Sequence, residues 1–211
     1  MKNFKRSFLE YIRENLGIYT IVTAFFVAGV LAGSVLLRLM DENELAEMYT
    51  AVSYYIDVLK NDSFEVLKPL DLLRVTYQKN ILFLLIIWLL GLLWIGSPFI
   101  LVVLLLKGFS LGFTVGFLVK NFALKGLIFS LAAVLPHNIL LIPAYIIAAV
   151  TATSFSILKF KDRLAKKHTD RNHFFQQYSL MMFLIFLLIL AGGLVEAYIT
   201  PVFMRLVISL L

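Results

Sequence analysis

Apolar residues fall along this chain in long unbroken runs rather than in alternation. The first, Ile18 to Leu37, holds 20 residues, about the length of helix that crosses a hydrocarbon core of ~30 Å. It predicts a first span at 18–38 after a short tail at 1–17. A hydrophilic stretch follows at 39–79. Within it Leu45, Met48, Val52, Ile56 and Leu59 recur at spacings of three and four, which predicts an amphipathic helix. Pro69 suits the first turn of a later helix, with Asp71 near its positive end.

From Ile81 to Leu106 no residue is charged. As one helix this run is longer than a bilayer needs, and Gly96, Ser97 and Pro98 in its middle predict a break, with Gly96 and Pro98 as the breaking residues. Lys107 reads as the end of that span. A glycine-rich segment leads to Lys120 and Lys125, and a second long apolar stretch runs from Gly126 to Leu158. Pro136 is the expected point of division there, with a half-length or re-entrant piece at 126–135 and a full span at 137–158. The region 80–158 is thus read as three central spans. A polar segment at 159–176 precedes a last span at 177–199, and 200–211 reads as an interfacial helix.

Composition agrees with the pattern. The chain has 211 residues, 61% of them hydrophobic and 15% charged, far to the apolar side of soluble domains. The expected fold is an all-α polytopic membrane protein with about five transmembrane helices, kinked or half-length central segments and an external amphipathic loop, all in one membrane domain. The N-terminal region is read as a retained span rather than a signal peptide, since its apolar run is too long for a typical h-region.

The net charge of +6 matters through its placement and is not read as a nucleic-acid footprint. Residues 1–16 carry four basic side chains and 159–173 carry six, whereas 39–79 holds eight acids. Basic segments stay on the cytoplasmic side. The N-terminus and the 159–176 loop are therefore expected inside, and the 39–79 loop outside.

Candidate chemistry is sparse. The chain has no cysteine, which excludes disulfides and thiolate sites. His137 is the one histidine in an apolar run, too little for a metal centre, while His168 and His173 read as solvated loop residues. No GxSxG or paired carboxylates appear. The expectation is a non-enzyme with no cofactor and no metal. Gly29 and Gly33, and then Gly108, Gly112 and Gly116, recur four apart, a spacing that lets helix backbones approach closely. Packing within the chain and a seam between two copies are both open. His137 and Asn138 beside Pro136, together with Glu196 near the end of the last span, suggest a polar clasp between helices, with His137 reaching Glu196.

The segments NILFLLIIWLLGLLWIGSPFILVVLLLKGFSLGFTVG, LPHNILLIPAYIIAA and GGLVEAYITP resemble the stage II sporulation protein M family of bacterial multi-pass membrane proteins. Asn80, Gly91, Gly96, the Lys107-Gly108 step with Gly112 and Gly116, Pro136, His137, Glu196, Ala197, Thr200 and Pro201 carry the resemblance. Many relatives have asparagine in place of Lys107. Many also place an acid a few residues after the histidine, where this chain has Leu141. The resemblance implies a scaffold in the cell membrane, at the septal or mother-cell membrane, that acts during forespore engulfment. Its implied partners are two peptidoglycan-degrading enzymes, a lytic transglycosylase and an amidase/endopeptidase, besides membrane lipid. The apolar stripe of the loop, Leu45, Met48, Val52, Tyr55 and Ile56, is then a candidate partner-binding face; lying on the membrane or capping the bundle is the other reading. A transporter or permease-like subunit is the alternative function.

Overall fold

A computed structural model describes residues 15–60, 69–165 and 171–210, and among these every element is helical. In hydrocarbon no water can satisfy a free backbone group, so long apolar segments close their hydrogen bonds within themselves as helices. The order is α1 (Leu16–Leu36), α2 (Glu42–Lys60), α3 (Pro69–Leu92), α4 (Gly96–Leu164), α5 (Arg171–Leu194), a wide π turn (Val195–Ile199) and α6 (Thr200–Leu210). Four continuous helical stretches are long and apolar enough to cross a membrane: 16–36, 69–92, 96–164 and 174–207. His168 lies outside the described residues.

The longest of these stretches is two arms. Ala123 has φ 49° and ψ −128°, a left-handed conformation that a residue with a Cβ adopts only at a cost, and the chain reverses there. Arm α4a (96–122) and arm α4b (124–164) then run antiparallel. The Ser97 N–H donates to Ser156 Oγ at one end. At the other, a Cβ on Gly126 would sit 1.9 Å from the Leu118 carbonyl oxygen, so only glycine fits. Five helical passes result.

This corrects the expected division of the chain. Helix α4b continues through both Pro136 and Pro143, and the piece expected to re-enter at 126–135 is simply its first part. Proline removes one ladder bond but need not end a helix that neighbours enclose. Here the Asn138 side-chain amide donates to the Val134 carbonyl at 2.8 Å, on the turn that Pro136 loosens. The break before Gly96 is a turn over 93–95, closed by Gly96 N–H donating to the Leu93 carbonyl.

Helix α1 lies along α4a through facing glycines. Cβ atoms on Gly29 and Gly33 would fall 2.1 Å from the Leu105 and Phe109 carbonyl oxygens. One on Gly112 would fall 1.9 Å from the Val30 oxygen, and Gly108 and Gly116 face Phe26 and Leu37. Both rows are spent on backbone contact within one chain. The main core gathers Val22, Phe26, Ile87, Ile100, Leu104, Tyr145 and Ile189 between these helices.

The two ends of the bundle differ. At the 93–95 end, Lys159 Nζ and Ser156 Oγ donate to the Leu92 and Leu93 carbonyls, at 2.9 and 2.8 Å. They satisfy acceptors that the end of α3 leaves open. Arg163 lies 4.5 Å over the Trp94 ring. At the opposite end, Lys120 Nζ donates to the Leu37 carbonyl at 2.7 Å and closes α1 in the same way.

Helix α2 covers that second end. Its side chains Met48 and Val52 pack with Leu37, Leu45, Phe113 and Phe117. Val52 and Ile56 also meet Leu118, Phe129 and Met204. The apolar stripe Leu45, Met48, Val52 and Ile56 is therefore occupied by the protein's own core. The expected docking face is corrected: of the two readings of this stripe, capping the bundle is the one the fold adopts. The side chain of Tyr55 is not among the described ones.

Candidate functional site: a polar cluster between four helices

Four helices bring polar side chains together midway along their lengths. Asn80 stands ~16 Å from the start of α3 at 1.5 Å per residue and is buried at 4% exposure. Its Oδ1 accepts from Tyr145 Oη at 2.7 Å and from Lys107 Nζ at 3.4 Å. Its Nδ2 donates to Glu196 Oε2 at 3.5 Å. Two donors on one side and a carboxylate on the other fix which way the amide points.

Lys107 sits inside α4a, not at its end, which corrects its reading as a span terminus. Its ammonium lies 4.8 Å from the Tyr145 ring centroid and 5.3 Å from that of Phe83, and the two rings meet edge to face at 4.8 Å. A cation at this depth needs acceptors, aromatic faces or a counter-charge. This one has the first two directly and a carboxylate across the Asn80 amide.

Glu196 owes its position to local backbone. Pro201 cannot donate to the Ala197 carbonyl, and in a regular helix its ring would collide with it. The helix widens just before it, over Val195–Ile199. Such single wide turns recur at functional sites. Gly192 and Gly193 precede the turn; Cβ atoms there would strike Leu141 and Tyr77 at 2.5 and 2.3 Å. Leu141 thus fills the space beside Gly192. Tyr77 Oη donates to the Leu190 carbonyl at 3.1 Å, which ties α3 to α5 just before the widening.

The second part of the cluster is at Pro136. His137 Nδ1 lies 3.2 Å from Thr200 Oγ1, and Asn138 Nδ2 lies 3.0 Å from His137 Nε2. Thr200 Oγ1 donates to the Val195 carbonyl at 3.2 Å. The donors run in order if the imidazole proton is on Nδ1: Asn138 to Nε2, Nδ1 to Thr200, Thr200 to Val195. His137 therefore meets the last helix at Thr200, one turn beyond Glu196. No hydrogen bond joins His137 to Glu196, whose carboxylate takes the Asn80 amide instead.

The sequence pattern did not single out Tyr145; Asn80 and Thr200 entered only through the resemblance, and Lys107 through the resemblance and as the end of a span. Their signal was present. Asn80 and Lys107 flank the charge-free run, and Tyr145 follows His137, Asn138 and Leu141 at helical spacing. Among the described residues no group of three or more metal-ligating side chains comes together. An apolar groove of about 260 Å³, lined by Leu84, Trp88, Ser179 and Phe186 among others, lies between α3 and α5, apart from the cluster.

These features define an α-helical polytopic membrane protein that holds Lys107, Asn80 and Glu196 in one buried polar cluster. The sequence model for stage II sporulation protein M matches residues 22–201, a span that contains the whole cluster. The chain belongs to the stage II sporulation protein M family, a sporulation family not known for enzymes. No curated protein and no solved structure matches it.

Proposed function

We propose that the protein is a non-enzymatic scaffold of the bacterial cell membrane that anchors peptidoglycan hydrolases, a lytic transglycosylase and an amidase/endopeptidase, during forespore engulfment. Family membership across 22–201 carries the reading. The geometry supports it in two ways. Lys107, Asn80, Tyr145 and Glu196 are engaged with one another inside the bundle. The outward face of α2 exposes Glu47, Thr50, Tyr54 and Asp57, with Tyr54 at 70% exposure. In this reading the 93–95 end, with Lys159, Lys161 and Arg163, faces the cytoplasm. Helix α2 then stands outside, toward the cell wall. The partner surface is the polar outer face of α2, since the apolar stripe is already covered.

Affinity purification of the full-length protein from sporulating cells tests the scaffold. Recovery of both hydrolase classes, reduced at least several-fold by Glu47→Lys with Tyr54→Lys, is expected. Full recovery with that variant removes the outer face of α2 from the reading.

A permease-like subunit is the second reading. The observation favouring it is the Lys107–Asn80–Glu196 cluster at membrane depth beside a widened helix turn. Liposomes loaded with a pH-sensitive dye decide it. Proton flux that depends on Glu196 supports a permease, and liposomes as tight as protein-free ones oppose it.

A further inference from the structure

The buried cluster and helix α2 are joined by one continuous piece of chain. Glu196 lies in the π turn Val195–Ile199, which passes directly into α6 at Thr200. Both the backbone N–H and the hydroxyl of Thr200 donate to the Val195 carbonyl, five residues back. A wide turn holds one residue more than a regular one. Straightening it would rotate everything after it by ~100° and shift it by ~1.5 Å along the axis. One turn beyond Thr200, Met204 packs against the group that holds Val52 and Ile56 of α2. A rotation of that size carries Met204 away from α2.

Two side-chain contacts pin the turn. Asn80 of α3 donates to Glu196, and His137 of α4b meets Thr200. Lys107 supports the first of these through the Asn80 oxygen and supplies the positive charge that makes a carboxylate tolerable at this depth. Without that cation the carboxylate is driven toward water, and the turn that holds it moves with it.

We infer that the Lys107–Asn80–Glu196 cluster is a latch that fixes the register of the last helix and, through Met204, the seat of α2 on the bundle. Unlatched, α2 lifts and uncovers Leu45, Met48, Val52 and Ile56. The inference rests on the fold alone and is independent of which partner α2 serves.

The cysteine-free sequence allows a direct test on the full-length protein in native membranes. One reporter, Ile56→Cys with Met204→Cys, follows the seat of α2. A second, Trp94→Cys with Phe160→Cys, sits at the opposite end, where the two rings stack at 6.0 Å. Cross-linking of the first pair should fall about threefold or more in Lys107→Met, as a population shift between seated and lifted states requires. It should recover in Lys107→Met with Glu196→Gln, where both charges are gone, while the second pair stays constant throughout. Unchanged cross-linking of the first pair in Lys107→Met overturns the latch. So does a parallel fall of both pairs, which makes the cluster a support of the whole bundle, or a failure of the double variant to recover.

Discussion

Asn80 is the residue on which the cluster turns, because one amide serves a hydroxyl, an ammonium and a carboxylate from three other helices. Removing a shared partner costs more than removing any single spoke, since each group left behind is buried and unpaired. Asn80→Leu should lower stability by about 2–4 kcal/mol, and Tyr145→Phe, which loses one donor, by about 1 kcal/mol. Unfolding of the detergent-solubilised protein by graded SDS measures both. Equal losses would mean that Asn80 acts only by filling space. His137→Leu belongs at the same scale: it strips Thr200 and Asn138 of a partner and should cost about 1–3 kcal/mol in the same assay. The loss should be no larger when Glu196 is already Gln, if His137 works through Thr200; a strong coupling between the two positions would restore the direct clasp.

At the scale of helices, close approach governs α1 and α4a. Gly112→Ala puts a methyl where the Val30 carbonyl already stands, 1.9 Å away, and backbone cannot yield as a side chain can. The variant should lose at least ~2 kcal/mol, within the range of overpacked interiors. Gly17→Ala, with nothing within 4 Å, should gain up to about 1 kcal/mol from helix propensity. Thermal melting in detergent separates them, and similar melting points would contradict the packing. The helices themselves were legible in the sequence, because a run such as Ile18 to Leu37 has one stable form in lipid. So was the amphipathic stripe of α2, from its spacing alone. The hairpin was not. Sequence weight falls on Pro136, yet the reversal is at Ala123, whose left-handed backbone nothing in NFALKG announces. A proline costs a helix one ladder bond without ending it, and α4b runs on through Pro136 and Pro143. A tight reversal instead needs room for a close backbone approach, and Gly126 provides it. Lys107 misled for a related reason: a lysine usually marks the edge of a span, and only the fold shows the Asn80 oxygen and aromatic faces that let it sit within one.

For the whole molecule, the bundle sets an acid-rich amphipathic helix at one end against Lys159, Lys161 and Arg163 at the other, with the polar cluster between them. That division suits the proposed scaffold, and family membership over 22–201 gives the protein a setting in sporulation. In the proposed function, the outward face of α2 is the surface for a partner. The most direct measurement is photo-cross-linking in sporulating cells, with a photoreactive amino acid replacing Tyr54 in the full-length protein and another replacing Leu85 on the exposed flank of α3. The account predicts that the probe at Tyr54 captures a lytic transglycosylase or an amidase/endopeptidase and that the probe at Leu85 does not. Capture of neither hydrolase from Tyr54, in cells where the protein reaches the engulfing membrane, would contradict it.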